Sequence, residues 1–318
     1  MWIAIAVVLA AGASTAGAAD FPDKAVRFVV GFTPGGPSDI VARLLGQKLA
    51  EAWGQQVVID NRAGAGGNIA AEIVAKSPGD GYTLLLGNNS ILATNAALYA
   101  KLSFDPVRDF APVILVASQP NILVVHPSLP VKSVKELIAL AKSKPGQLNY
   151  ASSGSGAAAH LSGELFKVMA HVDLVHIPYK GAAPALNDVL AGQDQLMFAT
   201  SLSVMPHIRS GRLHALAVTT ARRMHAMPEL PTVAEAGVPG FEATTWHGVV
   251  VSAATPPALV ARLNGDTAKI LNVPDVRERF AALGAEVIGG TPDEFAAYIK
   301  KEIPKWTRVV RDSGARAE

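Results

Sequence analysis

The sequence predicts an exported α/β protein of two domains, each a doubly wound sheet covered by helices. Three observations carry that prediction. Short β-rich apolar runs alternate with longer segments of helical period, the rhythm of βαβ units. The chain has 318 residues, more than one hydrophobic core usually supports. No repeat and no low-complexity linker interrupts it, so the domains are expected to exchange strands rather than hang from a tether.

The chain opens on an export signal. Residues 1–19 carry no charge, hold an apolar run from Trp2 to Ala11, and end in Ala16-Gly17-Ala18-Ala19. That is the apolar region and the small-residue cleavage site of a secretory signal, with cleavage expected near Ala19. No Lys or Arg precedes the run, which departs from the usual pattern. The run is too short for a membrane span, which needs about 20 apolar residues.

Strands are expected over 26–30, 57–60, 83–87, 113–117, 122–126, 149–152, 174–177, 195–199, 214–218, 248–252 and 285–288. Helical patterns lie between them, over 39–53, 69–77, 134–142, 160–170, 182–191 and 257–271. Ser38 or Asp39 is expected to cap the first helix. Ser133 and Glu136 have the spacing of a capping box, and Pro256-Pro257 suits a first helical turn.

Composition removes several function classes. The chain is 50% hydrophobic and 17% charged, as a globular protein is. Its net charge is +2 and its Lys and Arg are scattered, so no nucleic-acid partner is expected. There is no cysteine, hence no disulfide, no lipidated N-terminal Cys and no thiolate metal site.

Four glycine- or hydroxyl-rich turns follow strands directly and precede helices. They are residues 31–39 (GFTPGGPSD), Gly87-Asn88-Asn89-Ser90, Ser152-Ser153-Gly154-Ser155-Gly156 and Thr200-Ser201. In open α/β sheets, ligands bind beyond the carboxyl ends of strands, where the first N–H groups of the next helix are unpaired and its dipole favours an anion. Four such turns in one chain predict a site for a small anion.

Enzymatic readings fit less well. Gly154-Ser155-Gly156-x-x-Ala159 matches a dinucleotide fingerprint, but Asp173 precedes the next strand instead of following it. Ser153 and Ser155 are the candidate nucleophiles of an exported hydrolase, yet neither lies in a G-x-S-x-G elbow. His160 opens a helix after the serine-glycine turn and can point into the cleft. Together with His171, His176, His207 and His247 it otherwise reads as a surface or core histidine, since no metal-binding cluster appears. No metal, no cofactor and no catalysis are expected.

Several phrases carry a family resemblance: Phe21-Pro22, Thr33-Pro34-Gly35-Gly36-x-Ser38-Asp39, residues 60–67 (DNRAGAGG) and residues 78–83 (PGDGYT). Pro178-Tyr179-Lys180-Gly181, Pro231-Thr232-x-x-Glu235-x-Gly237 and Trp246-x-Gly248 continue the series. In order and spacing the chain resembles the Bug family, the TctC-type receptors of tripartite tricarboxylate transporters. The resemblance implies a monomeric periplasmic solute-binding protein of the Venus-flytrap type (type II), with a ligand cleft between two α/β domains. It implies one domain of residues 20–120 plus 244–318 and another of 121–243, with the hinge near Pro120 and between Val218 and Trp246. The implied ligand is a small organic carboxylate, passed to membrane transporter subunits or reported to a sensor kinase.

Carried over residue by residue, Phe32, Thr33, Gly36, Ser38 and Asn88 or Asn89 would line one wall. Ser152, Ser153 and Ser155 would line the other, near Tyr179, Ala199 and Thr200. One departure bears on the ligand. Relatives commonly carry Asp and Asn after the Met-Phe pair, where this chain has Ala199 and Thr200. An acid there would pair with a ligand amine, so a di- or tricarboxylate or an aromatic acid is expected rather than an amino acid.

Overall fold

The computed structural model describes residues 21–316, and the expected signal segment lies outside them. The chain forms β1 (Val26–Val30), α1 (Pro37–Trp53), β2 (Val57–Asn61), α2 (Asn68–Ala75) and β3 (Thr83–Asn88). A π-helical turn, Ser90–Thr94, leads into the single-turn α3 (Asn95–Leu98) and then the 16-residue β4 (Phe110–Val125). Next come α4 (Val134–Ser143), β5 (Asn149–Ser152), α5 (Ala158–Ala170), β6 (Val175–Pro178) and α6 (Ala182–Leu190). β7 (Leu196–Thr200), α7 (Ser201–Arg209) and β8 (His214–Val218) follow, then β9 (Thr244–Ser252), α8 (Pro257–Leu271), α9 (Pro274–Ala282), β10 (Glu286–Gly289) and α10 (Pro292–Ser313).

Two sheets share one strand. β2-β1-β3-β9-β4 form the first, with β10 also paired to β4. β4-β7-β5-β6 form the second, with β8 also paired to β4. Residues 110–120 of β4 pair with β9, and residues 121–125 pair with β7 and β8. The chain therefore crosses between sheets inside a continuous strand, which suits the absence of a linker. The crossing is densely bonded. Thr219 N–H donates to Asn121 O at 2.9 Å, Ala243 N–H donates to Thr219 O at 2.8 Å, and Thr245 Oγ1 donates to Asn121 Oδ1 at 2.9 Å.

Local sequence explains the layers. β1 alternates its side chains, so Phe28 and Val30 enter one apolar cluster with Leu45 and Leu49 of α1, while Val29 enters the other. Burying a side chain such as Phe28 or Leu45 completely is worth about 1.5–3 kcal/mol. β3 is apolar without alternation at residues 84–86, as a strand covered on both faces must be. On the second cluster α10 lies against both β4 and α5, and so touches elements of both sheets.

Four sequence readings are corrected. α1 starts at Pro37 with Gly36 as its N-cap, so neither Ser38 nor Asp39 caps it. Proline fits the first helical position, and Asp39 Oδ2 instead accepts the Gly35 N–H at 2.9 Å. The strands expected over 113–117 and 122–126 are one strand. Pro112 sits at a register shift and Pro120 is the last residue paired with β9, so neither missing N–H breaks the ladder. Ser133 does cap α4, accepting the Glu136 N–H at 3.2 Å, but Glu136 answers Lys132 N–H at 2.7 Å rather than Ser133. β9 begins four positions before the expected start, already paired with β4.

Candidate functional site

The turns that follow β1, β3, β5 and β7 converge on one pocket between the sheets. The first sheet contributes Phe32, Pro37 and Ser38, then Asn88, Asn89 and Ser90, then Thr245 and His247 of β9. The second contributes Ser153, the start of α5 at Ala157, Ala158 and Ala159, the start of α6 at Ala182, and Met197, Phe198 and Thr200 of β7. None of these lining residues is an acid, a lysine or an arginine.

Four helices begin at this pocket: α1, α5, α6 and α7. Their N-caps are Gly36, Ala157, Gly181 and Thr200, and none makes a side-chain cap hydrogen bond. The first N–H groups of a helix have no partner within it and carry the positive end of its dipole. Elsewhere α4 and α10 are capped by Ser133 and Thr291 while α2, α8 and α9 are not, so what distinguishes the pocket is that four uncapped ends meet there. Donors without acceptors are thus gathered where the four helices meet, which is the chemistry of an anion site.

Side chains repeat the pattern. Asn89 is fully buried and neither its Oδ1 nor its Nδ2 has a hydrogen-bond partner. The Ser90 and Thr33 hydroxyls are also buried without one. Buried polar groups are almost always paired, and leaving one unpaired costs about 1–3 kcal/mol. Asn88 is placed differently, since its Oδ1 accepts the Ile91 N–H at 3.1 Å and so shapes the π-helical turn. On the opposite side of the wall, Ser38 Oγ lies 2.9 Å from His247 Nε2, and His247 Nδ1 lies 3.1 Å from Gln119 Nε2. Burial drives the His247 pKa down to about 3, so the imidazole is neutral.

A carboxylate holds the first turn in shape. Asp39 accepts from Gly35 N–H, from Arg43 Nε at 2.8 Å and from Asn61 Nδ2 at 3.0 Å, and Asn61 also reaches Phe32 O at 3.0 Å. Burial pushes the Asp39 pKa up, but hydrogen bonds from Arg43, Gly35 and Asn61 outweigh it and leave the pKa lowered.

The serine-glycine wall is braced by histidines. Ser152 Oγ lies 2.6 Å from His176 Nε2 and accepts the Gly154 N–H at 3.2 Å. His160 Nδ1 accepts the Gly156 N–H at 3.0 Å, and its ring stacks on His176 with centroids 4.0 Å apart. Burial lowers the pKa of His160 to about 4 and that of His176 to about 3. Ser152 and His160 therefore hold the loop and line no part of the pocket. Ala199 is buried in the apolar cluster with Ala182, Met197 and Val204, and it too is absent from the lining.

Phe32 and Ser153 also border a second pocket, with Gly66, Tyr99, Ser155 and Tyr179. The Tyr179 hydroxyl is already engaged, 2.6 Å from Asp188 Oδ2 and 2.7 Å from Asp194 Oδ2, so it anchors its turn. The two lobes touch here. A β-carbon on Gly66 would lie 3.3 Å from Ser155 O, one on Gly156 would lie 3.0 Å from Asn95 Oδ1, and Ser201 Oγ donates to Gly284 O at 3.0 Å. Gly36 is in neither lining; it is the N-cap of α1, and its N–H lies 3.4 Å from Thr33 O.

Sequence reasoning missed Thr245 and His247. His247 stands inside the phrase Trp246-x-Gly248, but its place in the pocket depends on β9 lying beside β3, where it pairs with Asn88. Trp246, in the same phrase, is buried and donates its indole N–H to Glu302 Oε2 at 3.0 Å. Among the described residues no cluster of three or more His, Cys, Asp or Glu is placed to hold a metal, and no helix is long and apolar enough to cross a membrane.

Comparison with known proteins agrees with this geometry. Residues 41–315 match the sequence profile of the tripartite tricarboxylate transporter family receptor. Protein BugT of Bordetella pertussis is 39% identical over 315 residues, covering 99% of this chain and 97% of that protein. A Rhodopseudomonas palustris protein solved with adipate superposes with a TM-score of 0.92 at 42% identity, covering 94% of this chain and 100% of the other. MatC of the same species, with bound malate, gives 0.87 at 35% identity, covering 91% and 100%. The architecture is the two-domain α/β fold of periplasmic solute-binding proteins. The chain belongs to the tripartite tricarboxylate transporter receptor family, TctC.

Proposed function

We propose that this chain is a periplasmic receptor that captures a small organic carboxylate lacking an amine, by closure of its two domains, and hands it to the membrane subunits of a tripartite transporter. One observation carries the reading. Four uncapped helix N-termini and the unpartnered groups of Asn89 and Ser90 surround a pocket whose lining holds no charged side chain. A carboxylate supplies the missing acceptors, and water can bridge those it does not reach. A ligand ammonium would find no acid in the lining, which favours a di- or tricarboxylate or an aromatic acid over an amino acid. Adipate and malate in the related structures support the same class.

In this reading Phe32, Thr33, Gly36, Ser38, Asn88 and Asn89 form one wall, and Ser153, Ser155 and Thr200 form the other. Ser152, His160 and Tyr179 support the loops. The domains divide at 120/121 and 243/244, where β4 changes partners and β9 begins. A ligand touching both lobes stabilises the closed state by its differential affinity. The receptor acts after removal of residues 1–19, and it performs no chemistry. The hydroxyls of Ser153 and Ser155 have no histidine partner among the described hydrogen bonds, unlike those of Ser38 and Ser152.

Calorimetry with adipate, malate, succinate, citrate, benzoate, glutamate and aspartate tests the proposal. One or more of the amine-free acids binds tightly, and the two amino acids bind far more weakly. Tight binding of glutamate or aspartate with none of the other acids would overturn it.

A further inference from the structure

We propose that His247 sets the ligand preference of this pocket: by donating Nε2–H to Ser38 Oγ, it turns the serine hydroxyl hydrogen toward the ligand and makes Ser38 a donor reserved for an anionic oxygen. The inference rests on the receptor reading above and gives a role to a residue that the family phrase Trp246-x-Gly248 leaves unspecified.

The geometry is a buried relay across three distant parts of the chain. Gln119, His247 and Ser38 are each at least 98% buried, and their polar atoms stand 3.1 Å and 2.9 Å apart in sequence. Gln119 presents its Nε2 to His247 Nδ1. An amide nitrogen only donates, so Nδ1 accepts, and a neutral imidazole then carries its single hydrogen on Nε2. That hydrogen occupies a lone pair of Ser38 Oγ. The serine hydrogen is left with no acceptor among the described hydrogen bonds, on a side chain that lines the pocket. Ser38 is the second residue of the uncapped α1, so its hydroxyl and the helix N–H groups can converge on one ligand oxygen.

The relay keeps the donor neutral. No described acid hydrogen-bonds the His247 ring, and desolvation opposes its protonation. A charged histidine here would hold any anion through its net charge. A neutral one makes recognition depend on where the acceptor sits. The expected consequence is discrimination between an acid and its amide: an amide nitrogen placed against Ser38 would set donor against donor.

Two experiments test it. In 15N-labelled protein, long-range 15N–1H correlation, assigned by loss of the signal in His247→Gln, is expected to show the Nε2–H tautomer in the ligand-free protein. The Nδ1–H tautomer would overturn the proposal. Calorimetry with adipate and succinate then compares wild type with Ser38→Ala, His247→Leu, His247→Gln and the Ser38→Ala/His247→Leu double variant. Ser38→Ala and His247→Leu are each expected to weaken binding about tenfold or more, and the double variant no further. His247→Gln, whose amide can donate to Ser38, is expected to stay within about threefold of wild type. Additive losses, or no loss in His247→Leu, would overturn the proposal while acid binding by the wild type leaves the receptor reading intact. If His247→Leu does not fold, Gln119→Leu takes its place in the same cycle. A folded wild type that binds none of the acids defeats both.

Discussion

Gly181, the residue that opens α6, packs so closely on Thr33 that a β-carbon on Gly181 would overlap the Thr33 hydroxyl. Thr33 belongs to the turn after β1 in the first sheet and Gly181 to the second, so this is a contact between the two lobes. Gly181 also has φ of +155°, a backbone conformation that side chains disfavour.

The first prediction follows from that contact. Gly181→Ala should fold but close incompletely, lowering affinity for the cognate acid about tenfold, or about 1.4 kcal/mol. Calorimetry reads the affinity. Small-angle scattering with and without ligand reads the closure, and a variant that compacts like wild type would contradict it.

A second prediction concerns Asn89. Its amide is buried with both polar atoms unpartnered, so it weakens the empty protein while serving the bound one. Asn89→Ala should hold or raise the unfolding temperature of the ligand-free protein. It should cut affinity about 10–100-fold, or roughly 1.4–2.7 kcal/mol. Loss of stability with affinity unchanged would assign Asn89 a structural role instead.

Stability should also fall in mild acid. Burial lowers the pKa of His160 to about 4 and that of His247 to about 3, below the unfolded value of 6.5. The folded protein therefore binds fewer protons than the unfolded chain at the same pH. The associated stability is complete above pH 6.5 and is lost as pH falls toward the folded values, by up to about 1.4 kcal/mol per pH unit for each histidine. Urea midpoints between pH 7 and pH 5 test this, before carboxylate titration dominates. In His247→Gln the slope should be shallower.

The fourth prediction is at the C-terminal helix. Glu302 Oε2 accepts two indole hydrogens, from Trp246 at 3.0 Å and from Trp306 at 2.8 Å, and all three residues are buried. Glu302→Leu strands both donors and should cost about 2–4 kcal/mol. Glu302→Gln keeps an acceptor and should cost about 1 kcal/mol. Denaturation followed by tryptophan fluorescence separates the two.

Most of the fold was legible because its signals are local. The apolar runs of β1 and β3, the turns behind them and the Ser133 cap each depend on residues a few positions apart. The 22-residue α10 was not legible, since Pro304 in its middle reads as a break although the helix continues through it. The continuity of β4 was hidden for the same reason, by Pro112 and Pro120. Within the site, the turns that hold Phe32, Ser38, Asn89, Ser153 and Thr200 announced themselves by composition. Which of their neighbours face the ligand did not follow from composition. Ser152 ends β5 just before Ser153 and His160 lies in the first turn of α5 just after that loop, yet their polar atoms are taken by His176 and by Gly156.

The sequence alone determined that helices would begin at glycine- and hydroxyl-rich turns with their first N–H groups unpaired, because a helix end is set by the few residues around it. Only the tertiary structure decided that four such ends point at one pocket and that the pocket holds no charge. It also decided that His247 meets Ser38 from 209 positions away. The reason is sheet register. Whether two distant side chains meet depends on how β9 aligns between β3 and β4, and that alignment arises from packing the whole sheet.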